Sequence, residues 1–134
     1  MNLYAEGVRA QILIVEDDEA LARQMKTHLD RAGYDAHIVN QGKPALAFAA
    51  ERNVDLVILD LVLPDVSGYD VCVELRKLYH PWILPVLILT ALSQPKDKLL
   101  GFSLGAEAYL MKPVASSELL STVEDMLSRA ERRA

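Results

Sequence analysis

The sequence predicts a doubly wound α/β domain with an all-parallel sheet, and three observations carry that expectation. Short apolar runs rich in branched residues alternate five times with segments of helical periodicity. The strand-like runs are continuously apolar rather than alternating, the pattern of parallel strands covered on both faces. Four of the runs stop at a residue with reactive or charged chemistry, and in such sheets ligands bind at the carboxyl ends of the strands.

The first run, Gln11 to Val15, ends in Glu16-Asp17-Asp18, which cannot continue a buried strand. Leu21, Met25 and Leu29 then repeat at helical spacing, and Gly33 marks the stop. Ala36 to Val39 is a weaker strand. Gly42 and Pro44 open a short helix, with Leu46 and Ala50 on one face, that Asn53 ends. Leu56 to Leu59 is a third strand, stopped by Asp60, and Pro64-Asp65 with Ser67-Gly68 make a loop. Val71, Leu75 and Leu78 define a further helical face, ended before Pro81. Val86 to Leu89 is a fourth strand ending at Thr90. Pro95 opens a helix through Leu99 and Phe102, which Gly105 terminates. Ala108 to Met111 is a short fifth strand ending at Lys112-Pro113. Ser116 or Ser117 caps a last helix with Leu119, Val123 and Met126 on its apolar face. Right-handed crossovers distribute the helices over both sides of the sheet.

A length of 134 residues suits one domain, expected over residues 10–130 with loose termini at 1–9 and 131–134. Hydrophobic residues at 51% and charged residues at 25% allow a core of ordinary size and exclude disorder over most of the chain. A net charge of −5 without a basic stripe disfavours direct nucleic-acid binding. The single cysteine, Cys72, lies in an apolar helical pattern and reads as core filler. There is neither a signal-peptide pattern nor an apolar run of membrane-spanning length, so no membrane contact is expected and the cytoplasm is the expected location.

With strand order 2-1-3-4-5, the first and third strands are neighbours at the switch point. Glu16, Asp17 and Asp60, the Thr90 hydroxyl and the Lys112 ammonium would then converge on one rim of the sheet. Clustered carboxylates repel, and a hard divalent cation resolves the conflict. An all-oxygen donor set favours Mg²⁺ or Mn²⁺ over Zn²⁺, and the three histidines have no ligand-like spacing. One carboxylate is left to act as a nucleophile toward phosphorus, with Lys112 stabilising charge on the phosphoryl oxygens. Taken singly, each residue has an ordinary explanation: a helix cap for the acidic run (Asp18 above all), a strand-end carboxylate for Asp60, strand packing for Thr90 and Tyr109, an exposed turn for Lys112. Their joint occurrence at strand ends reverses the odds.

Four segments carry a resemblance: ILIVEDD (Ile12 to Asp18), LVILDLVLPDVSG (Leu56 to Gly68), LPVLILTA (Leu84 to Ala91) and GAEAYLMKP (Gly105 to Pro113). In this order the chain resembles the receiver domain of two-component response regulators, with the flavodoxin-like (βα)5 fold. The resemblance implies that Asp60 accepts a phosphoryl group from the phosphohistidine of a sensor histidine kinase or phosphotransfer protein. It implies that Asp17 binds Mg²⁺ directly, that Glu16 orients a metal-bound water, and that the Val62 carbonyl is a further ligand. Thr90 would donate to the phosphoryl group, Lys112 would pair with it beside a cis Lys112–Pro113 peptide, and Tyr109 would turn inward as Thr90 moves. The face of helix four, strand five and helix five would then meet an output domain or a downstream protein. Such a domain is a signalling unit, catalysing only its own phosphorylation and dephosphorylation.

Two other readings compete. An aspartyl-phosphate hydrolase of the haloacid dehalogenase type also uses an aspartate and Mg²⁺. It resembles DxDxT at the nucleophile, whereas Asp60-Leu61-Val62 lacks the second acid. A non-phosphorylated receiver-like interaction module typically loses the acceptor, the acidic pair or the lysine, all present here.

Overall fold

The computed structural model describes residues 8–80 and 83–133. Its elements are β1 (Gln11–Val15), α1 (Glu19–Arg31), β2 (Asp35–Val39), α2 (Gly42–Glu51), β3 (Leu56–Leu59), α3 (Gly68–Leu78), β4 (Val86–Thr90), α4 (Pro95–Ser103), β5 (Ala108–Met111) and α5 (Ser116–Arg133). All strand pairs are parallel, and the order is β2-β1-β3-β4-β5, as the sequence predicts.

Successive side chains of β1 point to opposite faces. Ile12 and Ile14 join one core with Met25 and Leu29 of α1 and with Val123 and Met126 of α5. Leu13 and Val15 join a second with Ala45 and Ala49 of α2 and with Val71, Cys72 and Leu75 of α3. This is why Ile12 to Val15 is apolar at every position: each side chain has a helix layer to bury against, at roughly 1.5–3 kcal/mol per large side chain. Cys72 is core filler, its thiol donating to the Leu104 carbonyl (3.4 Å).

Asp18 caps α1 as expected, accepting from the Leu21 N–H at 3.1 Å. Ser67, read with Gly68 as loop, caps α3, whose first residue is Gly68. Gly105, after α4, has φ +104, which L side chains rarely adopt. Its missing side chain also admits Arg76, whose guanidinium donates to the carbonyls of Gly105 and Leu84 and so ties α3 to the entries of β4 and β5.

Four expectations are corrected. The face that α2 buries carries Ala45 and Ala49, and Ala50 is exposed. Leu78 is 51% exposed rather than on the buried face of α3; beside it, Tyr79 donates its hydroxyl to the Ala49 carbonyl. Ser116 is the first residue of α5 rather than a residue before it. The expected loose terminus at 131–134 is helical through Arg133; earlier in α5 an ion pair between Asp125 and Arg129 bridges successive turns. The expectations for residues 1–7, Pro81, Trp82 and Ala134 lie outside the described residues.

The N-terminus of α2 is capped from a distance. Gln41 makes no side-chain cap bond. Asp65, in the loop after β3, accepts from the N–H groups of Gly42 and Lys43, both at 2.8 Å. The bond from Lys43 first, then that from Gly42, hold the Asp65 carboxyl below the usual carboxylate range. Between the depressed folded value and the unfolded one the native chain binds fewer protons than the unfolded chain. The contribution to stability is therefore complete above about pH 4 and is lost as pH falls through the folded value. Asp65→Asn is expected to be less stable than wild type at neutral pH, with the difference shrinking below about pH 4 in urea titrations. A difference that persists unchanged at low pH would count against this cap.

Candidate functional site

β1 and β3 are adjacent and in register, Val15 beside Leu59, so the residues that follow them emerge side by side. Carboxylate oxygens of Glu16, Asp17 and Asp60 all lie within 4.8 Å of one another. Glu16 and Asp60 are buried (1% and 5% exposed), whereas Asp17 is open to solvent. From the end of β5, the Lys112 Nζ reaches Glu16 Oε1 at 2.5 Å and Asp60 Oδ2 at 2.8 Å. The Lys112–Pro113 peptide is cis.

Burial pulls the Lys112 ammonium down, but bonds and charge from Asp60 and Glu16 outweigh it and hold the pKa above its ordinary value. Burial pushes the Glu16 carboxyl up, helped by the charge of Asp60 and opposed by Lys112 and the Asp18 N–H. Two buried carboxylates therefore share one ammonium, which fixes it between them. The second Asp60 oxygen, Oδ1, accepts from the Val62 N–H at 3.2 Å. The Val62 side chain is itself 57% exposed.

The donor set suits a hard dication. Three anionic oxygens meet at the rim, and neither His nor Cys joins them among the described residues. Octahedral Mg²⁺ has oxygens at about 2.1 Å, hence roughly 3–4 Å from each other, so these carboxylates need close by little to share one ion.

Thr90 is fully buried at the end of β4, one strand from Asp60. Its Oγ1 accepts weakly from the Leu92 N–H (3.4 Å), and its carbonyl accepts from the Lys112 N–H (2.8 Å). Tyr109 is half-buried on β5, and its hydroxyl donates to the Leu92 carbonyl at 2.7 Å. Burial first, then the charges of Tyr69, Asp97 and Asp60, push this phenol up to about 12.

The whole rim from Glu16 to Lys112 lies within one matching family model, that of the response regulator receiver domain, which covers residues 12–124. The chain belongs to that family. The receiver domain is similar over 122 residues (42% identical, 91% of this chain) to the DNA-binding dual master transcriptional regulator RpaA of Synechocystis. It is 37% identical over 121 residues to the alkaline phosphatase synthesis transcriptional regulatory protein PhoP of Bacillus subtilis. The chain spans about half the length of the curated relatives it matches, 51% of RpaA and 50% of PhoP. A CheY-like response regulator receiver domain protein from Methanospirillum hungatei superposes with a TM-score of 0.89 at 28% identity, over 94% of this chain and 99% of that one. These likenesses set aside the haloacid dehalogenase reading.

Several contributors to the receiver site had no role in the sequence reading. Asn40 donates its side-chain amide to the Glu16 carbonyl (2.9 Å), and Glu16 N–H donates to the Val39 carbonyl (3.1 Å), which fixes the acidic turn against the end of β2. Gly68 packs directly on the peptide of Asp60. Tyr69 reaches α4. The signal for Gly68 was present, since it closes the segment that follows Asp60 and opens α3; Asn40 and Tyr69 had none.

Proposed function

We propose that this receiver domain accepts a phosphoryl group on Asp60 from a phosphohistidine donor and passes the event to the α4–β5–α5 face. The observation that carries the reading is the contact of the Lys112 ammonium with Asp60, beside the Glu16 and Asp17 carboxylates. Asp17 and Asp60, with the Val62 carbonyl, would hold Mg²⁺ (or Mn²⁺), and Glu16 would orient a water bound to it. When bound, the ion supplies positive charge that offsets carboxylate repulsion and the charge of the transferring group.

The nucleophile is an Asp60 carboxylate oxygen, which needs no deprotonation. A bond to phosphorus forms, the P–N bond of the donor breaks, and the imidazole nitrogen leaves with the bonding pair. Lys112, already on Asp60, moves its ammonium to a phosphoryl oxygen, and the Thr90 hydroxyl donates to another. The group adds roughly −1.5 to −2 charge at the rim. Movement of Thr90 disturbs Leu92, whose carbonyl holds the Tyr109 hydroxyl, so the two residues respond together. Two arrangements exchange, and phosphorylation biases their populations.

The donor has a place to dock. A groove of about 1020 Å³ runs along α1 beside Lys112, lined by Leu21, Gln24, His28 and Val114 among others. Lys112, which lines it, also contacts Asp60, and the groove suits the helix of a sensor histidine kinase or phosphotransfer protein. No helix of the described residues is long and apolar enough to cross a membrane. We place the domain in the cytoplasm, with an output domain or a downstream protein as the reader of its α4–β5–α5 face.

Intact-mass measurement after acetyl phosphate and Mg²⁺ is the test. Wild type is expected to gain the mass of one phosphoryl group, and Asp60→Asn none. Labelling that survives in the variant would remove Asp60 from its role.

A further inference from the structure

α4 is the helix least anchored by burial. Gly101 is the single buried residue among its nine, and Leu99 and Phe102 are 73% and 46% exposed. Helices usually take most of their stability from an apolar face packed on the core. Apart from the Tyr109 ring, which meets Phe102 and Lys98, the hold on α4 falls to polar contacts at its N-terminus.

Two phenols make those contacts. The Tyr109 hydroxyl holds the Leu92 carbonyl at the start of the β4–α4 loop. The Tyr69 hydroxyl donates to the backbone carbonyl of Asp97 at 3.2 Å and lies 3.5 Å from its Oδ1, in the first turn of α4. The other carboxylate oxygen of Asp97 accepts from the Gln94 N–H at 3.1 Å, closing a reciprocal cap at the helix start. Tyr69 is itself fixed to the acceptor. It follows Gly68, whose Cα is pressed onto the Asp60 peptide and whose N–H donates to the Leu61 carbonyl at 2.9 Å. One short rigid path therefore joins the Asp60 backbone, the first turn of α3, the Tyr69 ring and the first turn of α4.

Resting on the phosphoacceptor reading above, we infer that Tyr69 is a positioning residue for output: its hydroxyl latches the N-terminus of α4 to the acceptor segment. It acts in parallel with Tyr109 and on a different part of the loop. A backbone shift at Asp60 on phosphorylation reaches α4 through this latch without passing through Thr90.

Hydrogen exchange across residues 92–103 tests the latch, in wild type, Tyr69→Phe and Tyr79→Phe, each with and without acetyl phosphate and Mg²⁺. Tyr79 is the control, because its phenol also donates to a backbone carbonyl, that of Ala49 in α2, and does not touch α4. Loss of one hydrogen bond is expected to speed α4 exchange about fivefold in Tyr69→Phe. Tyr79→Phe is expected to leave α4 exchange unchanged. The change that phosphorylation causes in α4 exchange is expected to shrink in Tyr69→Phe, a readout that general loosening would not move. Mass labelling on Asp60 is followed in the same samples. Exchange at α4 within twofold of wild type in a Tyr69→Phe chain that still takes label overturns the latch alone. A wild-type chain that takes no label overturns the phosphoacceptor reading and the signalling role of the latch with it.

Discussion

Gly68→Ala is expected to lose most of its phosphoryl labelling at Asp60 and to unfold well before wild type in urea. A Cβ at position 68 would stand 2.2 Å from the Asp60 carbonyl oxygen, 2.6 Å from the Leu61 Cα and 2.9 Å from the Asp60 carbonyl carbon. All three are backbone atoms, so no flexible side-chain end gives way. The backbone angle is not the obstacle, because the positive-φ glycines are Gly33 and Gly105. Alanine recovers up to about 1 kcal/mol of helix propensity at such a site. Overpacking costs about 1–3 kcal/mol, and three backbone contacts under 3 Å put this site at the upper end, so the net change is destabilising by about 2 kcal/mol. The relief available is movement of the Asp60–Leu61 peptide, which takes the Asp60 carboxylate away from Lys112. Displacement of about 1 Å at a reacting group costs on the order of a hundredfold in rate. A variant as stable as wild type and labelled at the same rate would mean that the α3 entry does not set the position of Asp60.

Lys112→Met is expected to give the second large effect, and the size of its effect on stability depends on Mg²⁺. Without the ion, the variant leaves the buried Glu16 and Asp60 carboxylates facing one another with no cation between them. Removing one partner of a buried ionic group typically costs about 3–5 kcal/mol. Lys112 is partly open to water, so the lower end, roughly 3 kcal/mol, is expected. Adding Mg²⁺ should stabilise the variant more than wild type, because a dication relieves the same repulsion that the ammonium relieved. Labelling by acetyl phosphate should nonetheless stay about a hundredfold slow at saturating Mg²⁺, since a preorganised charge for the phosphoryl oxygens is gone. Denaturation with and without Mg²⁺, alongside mass labelling, separates the two roles. Equal stabilisation of both chains by Mg²⁺ would mean that Lys112 and the ion do not serve the same carboxylates.

What the sequence makes legible follows from local rules. Glu16, Asp17, Asp60 and Lys112 stand out because each follows an apolar run and a buried strand cannot continue through a charge; Thr90 stands out as the polar residue that closes β4. The helix periods of Met25 and Leu29, or of Val123 and Met126, likewise name their buried faces, and these do lie in one core. Periodicity fails where a face is apolar but uncovered. Leu78, Leu99 and Phe102 fit a helical stripe, yet they are exposed, because spacing along the chain says nothing about whether a neighbour packs there.

By itself, then, the amino-acid order determined the element types, the parallel sheet and which charged side chains gather at its rim. Those depend on alternation, helix spacing and residue chemistry within a few positions. Only the folded chain decided that Asp65 caps α2 from 23 residues away, that Asn40 braces the Glu16 turn across 24, and that Tyr69 reaches Asp97 across 28. Each of these contacts forms because loops of unrelated sequence end at one rim of the sheet. A hydrogen bond between distant residues leaves no periodic trace in either partner's neighbourhood, so its physical cause is the sheet order that brings the loop ends together.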